Sequence, residues 1–479
     1  MKLLSRVRLE PNMLLALCSS VLMSLCLRPW NLGALAFLAL IPLLIALHLE
    51  TRAWKAGLYS YIVAMGGVFV AIDGLVTEFP FVFALGVLGY ALGFFIPGYA
   101  VVFLKNRFGT RALLCFPIFW IATEFLISQR WLFGAYANPI MAIGYTQFGL
   151  PSLQAAHWTG VTGVSFLIVL TNATVAYLIL ERRWIPFIAS ILLCVVAIFL
   201  PAPNTKPFGS AFKVGIAQGY FPTAEYTIAD FDQDVRTAIA NRYDALIGSL
   251  ETRGADLIVL PETALGGWQS DLNDNREARY ALRNASFALV GAKNTVGKDE
   301  GYNAILEWQR EANTLKQVYA KQIPIPFTEA GYTKGKSASV ANLGGIPIGL
   351  GICWENVFPN LNRTTVLKGA RVMAYLNSLL WAGLAATPEL QLHISAFRAV
   401  ETGRDVIHAT AGGPSAVIGS DGRIKERTYQ AQETFMLASV QPRTGATPYL
   451  ILGDWLGASC AFVAAMLGLL EVFRLRRRT

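Results

Sequence analysis

A chain of 479 residues that is 54% hydrophobic and only 15% charged lies outside the composition of soluble globular proteins. Its mean hydropathy of +0.45 marks an integral membrane protein. The formal net charge of +9 is accounted for by topological signals and affinity for anionic headgroups, so nucleic acid is not implied as a partner.

In chain order, apolar segments at about 13–27, 32–47, 56–76, 80–104, 112–127, 162–180, 185–201 and 450–473 predict a bundle of eight membrane-spanning helices. The first, preceded by Lys2, Arg6 and Arg8, reads as a retained signal-anchor because further spans follow. Lys and Arg concentrate in alternate loops: Arg52 and Lys55, then Lys105, Arg107 and Arg111, then Arg182 and Arg183, then the tail Arg474, Arg476, Arg477 and Arg478. The opposite loops carry little beyond Arg28 and Arg130, which predicts both termini cytoplasmic and the soluble region on the other side of a bacterial inner membrane. The expected organisation is a bundle of seven helices over 1–204, a soluble domain over 205–448, and an eighth helix with a basic tail over 449–479. Asp73, Glu124 and Asp454 are ionisable groups within or beside spans; Glu124, about one turn from the outer end of its helix, is expected to reach headgroups or water in a local structural role. Trp131, Phe133, Tyr136, Tyr145, Phe148, His157 and Trp158 lie in a long outer loop and resemble an interfacial aromatic belt.

The soluble region alternates strand-like runs (about 211–218, 255–261, 286–292, 304–308, 316–321, 346–354, 371–377, 406–410, 415–419, 435–441) with helical stretches (about 228–250, 361–368, 388–402), which predicts an α/β sandwich. Continuous apolar runs such as 257–260 suggest strands buried on both faces. Five of the six cysteines fall in membrane spans, so Cys353 is the one thiol of the soluble region and has no partner there for a disulfide or a metal site. Three polar residues end strands: Glu262, Lys321 and Cys353. Converging at the strand ends, they would close a chemistry in which Glu262 takes the thiol proton, Lys321 stabilises thiolate and oxyanion, and Cys353 attacks an acyl carbon. Taken singly, Glu262 reads better as a loop carboxylate and Lys321 as a solvated surface lysine.

Leu257-Ile-Val-Leu-Pro-Glu262-Thr, Tyr319-Ala-Lys321 followed by Pro326-Phe327-Thr328-Glu329, and Gly351-Ile-Cys353-Trp354-Glu355 resemble the three catalytic blocks of the nitrilase, or carbon-nitrogen hydrolase, superfamily. With the spans, the segment from Arg28 to Pro42, Gly160-Val-Thr-Gly-Val-Ser-Phe166 and Phe397-Arg398-Ala-Val-Glu401-Thr-Gly403-Arg404, nearly the whole chain resembles the bacterial apolipoprotein N-acyltransferase family. The resemblance implies an inserted αββα sandwich and an enzyme without cofactor or metal. It makes Glu262 the general base, Lys321 the oxyanion-stabilising lysine and Cys353 the nucleophile. Glu329, Glu355 and Trp354 become supporting residues, and Trp268, Phe327, Tyr332, Asn377 and Trp381 candidates for substrate contact. It further implies transfer of a phospholipid acyl chain, through a thioester on Cys353, to the α-amino group of the diacylglyceryl-cysteine of a lipoprotein, by a protein expected to be a monomer. The run Asn377-Ser378-Leu379-Leu380-Trp381 stands where the family has Asn-Asp-Ala-Trp-Phe, and Thr410-Ala411-Gly412-Gly413 also departs from the family pattern. Transfer to another amine, as in conjugal transfer, a membrane-anchored amidase and a non-enzymatic scaffold stand as alternatives.

Overall fold

The computed structural model describes residues 10–27, 29–200, 205–269, 272, 275–296, 300–326, 328–329 and 331–476; Lys2, Arg6, Arg8, Arg28, Phe327, Arg477 and Arg478 lie outside them. The chain divides into two compact units, Met1–Pro201 with Asp454–Thr479, and Ala202–Gly453.

In the first unit, among the described residues, four helices are long and apolar enough to cross a membrane: Ala53–Ala71, Pro80–Ile127, Pro151–Glu181 and Trp455–Arg474. The apolar helices Pro11–Leu25, Gly33–Leu49 and Ile185–Phe199 are shorter. Gly33–Leu49 is interrupted at Leu40, just before Pro42, whose ring leaves no N–H to continue the ladder. Asn172, fully buried on the Pro151–Glu181 helix, bridges that break: its Oδ1 accepts the Leu40 N–H at 2.9 Å and its Nδ2 donates to the Ala36 carbonyl at 2.8 Å. An apolar surrounding demands such pairing of every backbone group.

The stretch expected as an outer loop is largely interior. Short 3-10 turns at Gly134–Tyr136, Pro139–Met141, Ile143–Gln147 and Pro151–Ala155 carry it, and Asn138, Gln147 and Ser152 are buried. Trp131, Phe133 and Tyr136 are exposed, as a belt requires, whereas Tyr145 and His157 are buried. Glu124 explains the difference. It is 6% exposed and does not reach outward; its Oε1 accepts the Trp120 indole N–H at 2.9 Å and the Ile143 N–H at 3.0 Å. Beside it Ser165 Oγ accepts the Gly144 N–H, and Gln147 donates to the Gly33 carbonyl, so the turns find their partners inside the unit.

The second unit is an αββα sandwich. Its strands are β1 (Phe212–Gln218), β2 (Leu257–Leu260), β3 (Phe287–Val296), β4 (Glu300–Gln309), β5 (Thr314–Ala320), β6 (Val340–Leu343), β7 (Ile346–Ile352), β8 (Val372–Ser378), β9 (Asp405–Ala411), β10 (Ala416–Ile418), β11 (Ile424–Arg427) and β12 (Thr434–Val440). One sheet runs β12-β1-β2-β3-β4-β5 and the other β11-β10-β9-β8-β7-β6. The central pairs β1·β2, β2·β3, β7·β8 and β8·β9 are parallel, and antiparallel strands flank them. The two-residue pleat decides which side chain goes where. Leu257 and Val259 face the second sheet's Leu350, Ile352, Ala374 and Leu376, while Ile258 and Leu260 face Ile239, Tyr243 and Ile247 of the helix Gln233–Glu251. This is why the run reads as continuously apolar, each fully buried side chain contributing roughly 1.5–3 kcal/mol. Helices Pro359–Leu367 and Thr387–Thr402 form the layer on the second sheet, the latter buried along its whole length. The helix expected from 228 begins later: Thr223–Ile228 stops, and Asp232 starts the next by accepting the Asp234 and Val235 N–H groups on Oδ1.

Candidate active site

Glu262, Lys321 and Cys353 meet at the strand ends. Glu262 stands two residues beyond β2, Lys321 directly after β5 and Cys353 directly after β7. Lys321 Nζ lies 3.0 Å from Glu262 Oε1 and 2.8 Å from Glu329 Oε1, and the buried Cys353 thiol lies within the field of all three charges. Exposure is 5% for Glu262, 1% for Lys321 and 3% for Cys353, so the site is closed to water.

The backbone is shaped to hold this arrangement. Cys353 has φ +49° and Thr263, next to Glu262, φ +50°, left-handed conformations that cost side-chain-bearing residues on the order of 1–3 kcal/mol each. Thr263 is held there because the following N–H, of Ala264, donates to the Gly291 carbonyl at 2.8 Å. Gly291 is required at that spot: a Cβ would fall 2.2 Å from the Pro261 oxygen.

Charge sets the protonation state. Burial works against the Lys321 ammonium, but the carboxylates of Glu262 and Glu329 outweigh it and hold the group well above the usual lysine range. Burial, followed by the Glu262 charge, pushes the Cys353 thiol up, which favours the protonated thiol. The cluster sets two carboxyl groups against one ammonium. Passing the thiol proton to Glu262 would leave the cluster's charge unchanged, whereas losing it to water would add a buried negative charge. A thiolate at Cys353 therefore forms at least electrostatic cost when its proton passes to the neighbouring carboxylate.

Glu355 acts on the backbone. Its Oε1 accepts the N–H groups of Gln322 and Ile323 (2.6 and 3.2 Å), and its Oε2 accepts the Ile352 N–H and the Tyr319 hydroxyl (2.7 and 2.8 Å). The carboxylate thus ties the segment after Lys321 to the residue before Cys353. Trp354 packs edge-on to Phe358, with centroids 6.4 Å apart. The Trp268 and Tyr332 rings lie 5.5 Å apart with their planes tilted by 34°, and the Lys293 ammonium is 5.9 Å from the indole. The Tyr332 N–H donates to the Glu329 carbonyl at 3.1 Å, which places the ring pair beside the cluster, and burial with the nearby charges of Glu329 and Glu262 raises the Tyr332 phenol. Trp381 is half-buried in the turn Leu380–Ala382. Asn377 does not join the cluster: its Nδ2 lies 3.3 Å from both His408 Nδ1 and Thr410 Oγ1. The next residue does join, Ser378 donating its N–H to Glu262 Oε2 at 2.9 Å.

Two contributors had no motif to announce them, the Ser378 N–H and Asn303. Asn303 Nδ2 donates to Glu262 Oε1 at 2.7 Å and to Glu329 Oε1 at 3.0 Å, closing a ring with Lys321. Its one signal was a lone amide at the head of the apolar run Ala304–Leu306, next to the β4·β5 pair that brings Ala304 opposite Ala320.

Behind the cluster, His408 is fully buried against the Ser395 hydroxyl at 2.9 Å, and burial pushes its pKa down to about 3. Below its unfolded value near 6.5 the unfolded chain takes up a proton that the fold refuses, so stability is complete above about pH 6.5 and falls as the pH drops toward 3. The loss approaches about 1.4 kcal/mol per unit, or about 2 kcal/mol by pH 5. Thermal melts at pH 7.5 and 5.0 should show a smaller acid loss for His408→Gln than for the wild type; equal losses would mean that the imidazole is accessible to protons in the fold.

Residues 19–174 match the family model described as apolipoprotein N-acyltransferase N-terminal domain, and residues 233–449 match that of carbon-nitrogen hydrolase. An apolipoprotein N-acyltransferase of Geobacter metallireducens is 26% identical, with 96% of this chain and 95% of that one covered. One from Methylococcus capsulatus is 27% identical, covering 92% and 93%. A crystal structure of a CN-hydrolase superfamily protein from Xanthomonas campestris aligns with 48% of this chain and 91% of its own, at 16% identity and a TM-score of 0.41.

Proposed function

Because the chain belongs to the apolipoprotein N-acyltransferase family, we propose that it moves an acyl chain from a membrane phospholipid onto Cys353 and from there onto the free α-amino group of a diacylglyceryl-cysteine at a lipoprotein N-terminus. The observation that carries this is the closed cluster in which Lys321 is bonded to both Glu262 and Glu329 and the buried Cys353 thiol lies in the field of all three. In the first half-reaction Glu262 takes the thiol proton as sulfur attacks the ester carbon, Lys321 stabilises the developing oxyanion, and the lysophospholipid alcohol leaves with the proton from Glu262. In the second, the amine attacks the thioester and the thiol is restored. A site closed to water suits this sequence, since a solvated thioester would hydrolyse.

The membrane unit fits eight crossings. The run Pro80–Ile127 is 48 residues, about 72 Å if continuous and so more than twice the hydrocarbon thickness, and Gly109 at φ +57° provides the reversal that makes it two. With the basic loops facing the cytoplasm, both termini are cytoplasmic and the catalytic unit lies on the periplasmic side of the inner membrane.

Intact-mass analysis after incubation with phosphatidylethanolamine tests the function. An acyl-sized gain that is discharged on adding a diacylated lipopeptide with a free amino terminus is the expected result. A gain discharged by water or another amine but not by the lipopeptide would remove the acceptor assignment, and no gain with any phospholipid would remove the transferase.

A further inference from the structure

We propose that Asn303 binds the acyl-accepting amine, its side-chain oxygen taking one N–H of the nucleophile while Glu262 takes the other. This rests on the acyl-transfer function proposed above and concerns its second half-reaction. Asn303 is 2% exposed on β4, and its main-chain carbonyl accepts the Lys321 N–H at 2.8 Å. Both neighbours of its side chain are carboxylates, so the amide nitrogen must face them, and its two hydrogens are used on Glu262 and Glu329. That orientation leaves Oδ1 buried with no partner among the described residues. Such an atom needs a donor.

The carboxylate oxygens that face Asn303 are full: Oε1 of Glu262 and of Glu329 each already accepts two N–H groups, and only the Oε2 atoms keep a free lone pair for an incoming amine. Glu262 Oε1 is taken by Lys321 and Asn303 and its Oε2 by the Ser378 N–H; Glu329 Oε1 is taken by the same two donors and its Oε2 by the Ile325 N–H at 2.7 Å. Asn303 Oδ1 is the acceptor left unused at this ring. The reactants differ in what they can offer it. A phospholipid ester and an enzyme thioester carry only acceptors at the reacting carbon, whereas a primary amine carries two N–H groups and must aim its lone pair at that carbon. Holding one N–H on Oδ1 and the other toward Glu262 fixes that aim.

The step balances within the cluster. The amine nitrogen forms its bond to the thioester carbon, one N–H proton passes to Glu262, the carbon–sulfur bond breaks, and the sulfur takes the proton back from Glu262. The products are the amide and the resting thiol.

The test compares discharge of the preformed acyl-enzyme by two nucleophiles, a diacylated lipopeptide amine and dithiothreitol, whose attacking thiolate has no N–H. In Asn303→Leu the ratio of amine to thiol discharge should fall about tenfold, the size expected for one lost hydrogen bond to a group gaining positive charge. Asn303→Gln, which keeps both the amide donor and an acceptor oxygen, should hold the ratio within about threefold of wild type. A ratio unchanged in Asn303→Leu, or lowered as far in Asn303→Gln, overturns the assignment. If Asn303→Leu does not fold, Asn303→Ala gives the same comparison. Failure of the wild type to load with acyl chain would instead count against the acyl-transfer function itself.

Discussion

Cys353→Ala should abolish acyl loading, and Cys353→Ser should reduce acyl transfer on the order of 10⁴-fold or more, with both variants folded. The two differ in a way that reports on the chemistry. Alanine removes the nucleophile, so intact mass should show no acyl gain at any time. Serine keeps a nucleophilic atom in the same left-handed position, φ +49°, and within reach of Glu262. Its hydroxyl is far harder to deprotonate than a thiol, and a carboxylate already receiving Lys321, Asn303 and the Ser378 N–H is a weak base for that task. Any ester that forms is also a poorer acyl donor to an amine than a thioester. Cys353→Ser should therefore accumulate a slow, stable acyl-enzyme that the lipopeptide hardly discharges. Melting temperatures close to wild type would show that neither loss comes from unfolding. Transfer persisting in Cys353→Ala would place the nucleophile elsewhere in the chain.

The strand ends were readable in advance because parallel central strands are apolar on both faces, and a polar residue at the end of such a run stands out: Glu262 after Leu257–Leu260, Cys353 after Ile346–Ile352. What was not readable follows from the same pleat. On β8, Val372, Ala374 and Leu376 fill the space between the sheets, so Asn377 points to the opposite face, toward His408 and Thr410, and only the backbone of Ser378 reaches Glu262. A backbone donor leaves no mark in a sequence. Asn303 leaves one, but a single amide beside an apolar run is what a strand terminus also shows. In the membrane unit, Asn138, Gln147 and Ser152 have the composition of a solvated loop, yet they are interior because Glu124, Ser165 and Gly33 supply their segment with partners from other helices. Composition reports polarity, and only the fold says whether water or protein satisfies it.

Lys321→Met should cost both stability and activity, and the two losses separate with pH. The lysine is the cation between Glu262 and Glu329, all three buried or nearly so, and the ring they form with Asn303 balances two carboxylates against one ammonium. Removing one partner of such a buried group leaves uncompensated charge, at a cost of about 3–5 kcal/mol. For a unit of this size that amounts to a fall of roughly 6–20 °C in melting temperature. In the variant the two carboxylates face each other without a cation, a repulsion that a proton held between them would relieve. A proton bound by the fold and not by the unfolded chain makes stability fall as the pH rises. The variant should accordingly recover part of its lost stability between pH 7 and 5, a trend opposite in sign to that from His408. Lys321→Met/Glu329→Gln, which removes one of the opposed charges, should melt higher than Lys321→Met at pH 7. Acyl loading should not return with it, because the double variant still lacks the cation that stabilises the oxyanion, a contribution on the order of 10²–10³-fold. A single variant that melts like wild type at pH 7 would mean that the ring is hydrated in solution, and the charge-conserving proton transfer from Cys353 to Glu262 would lose its basis.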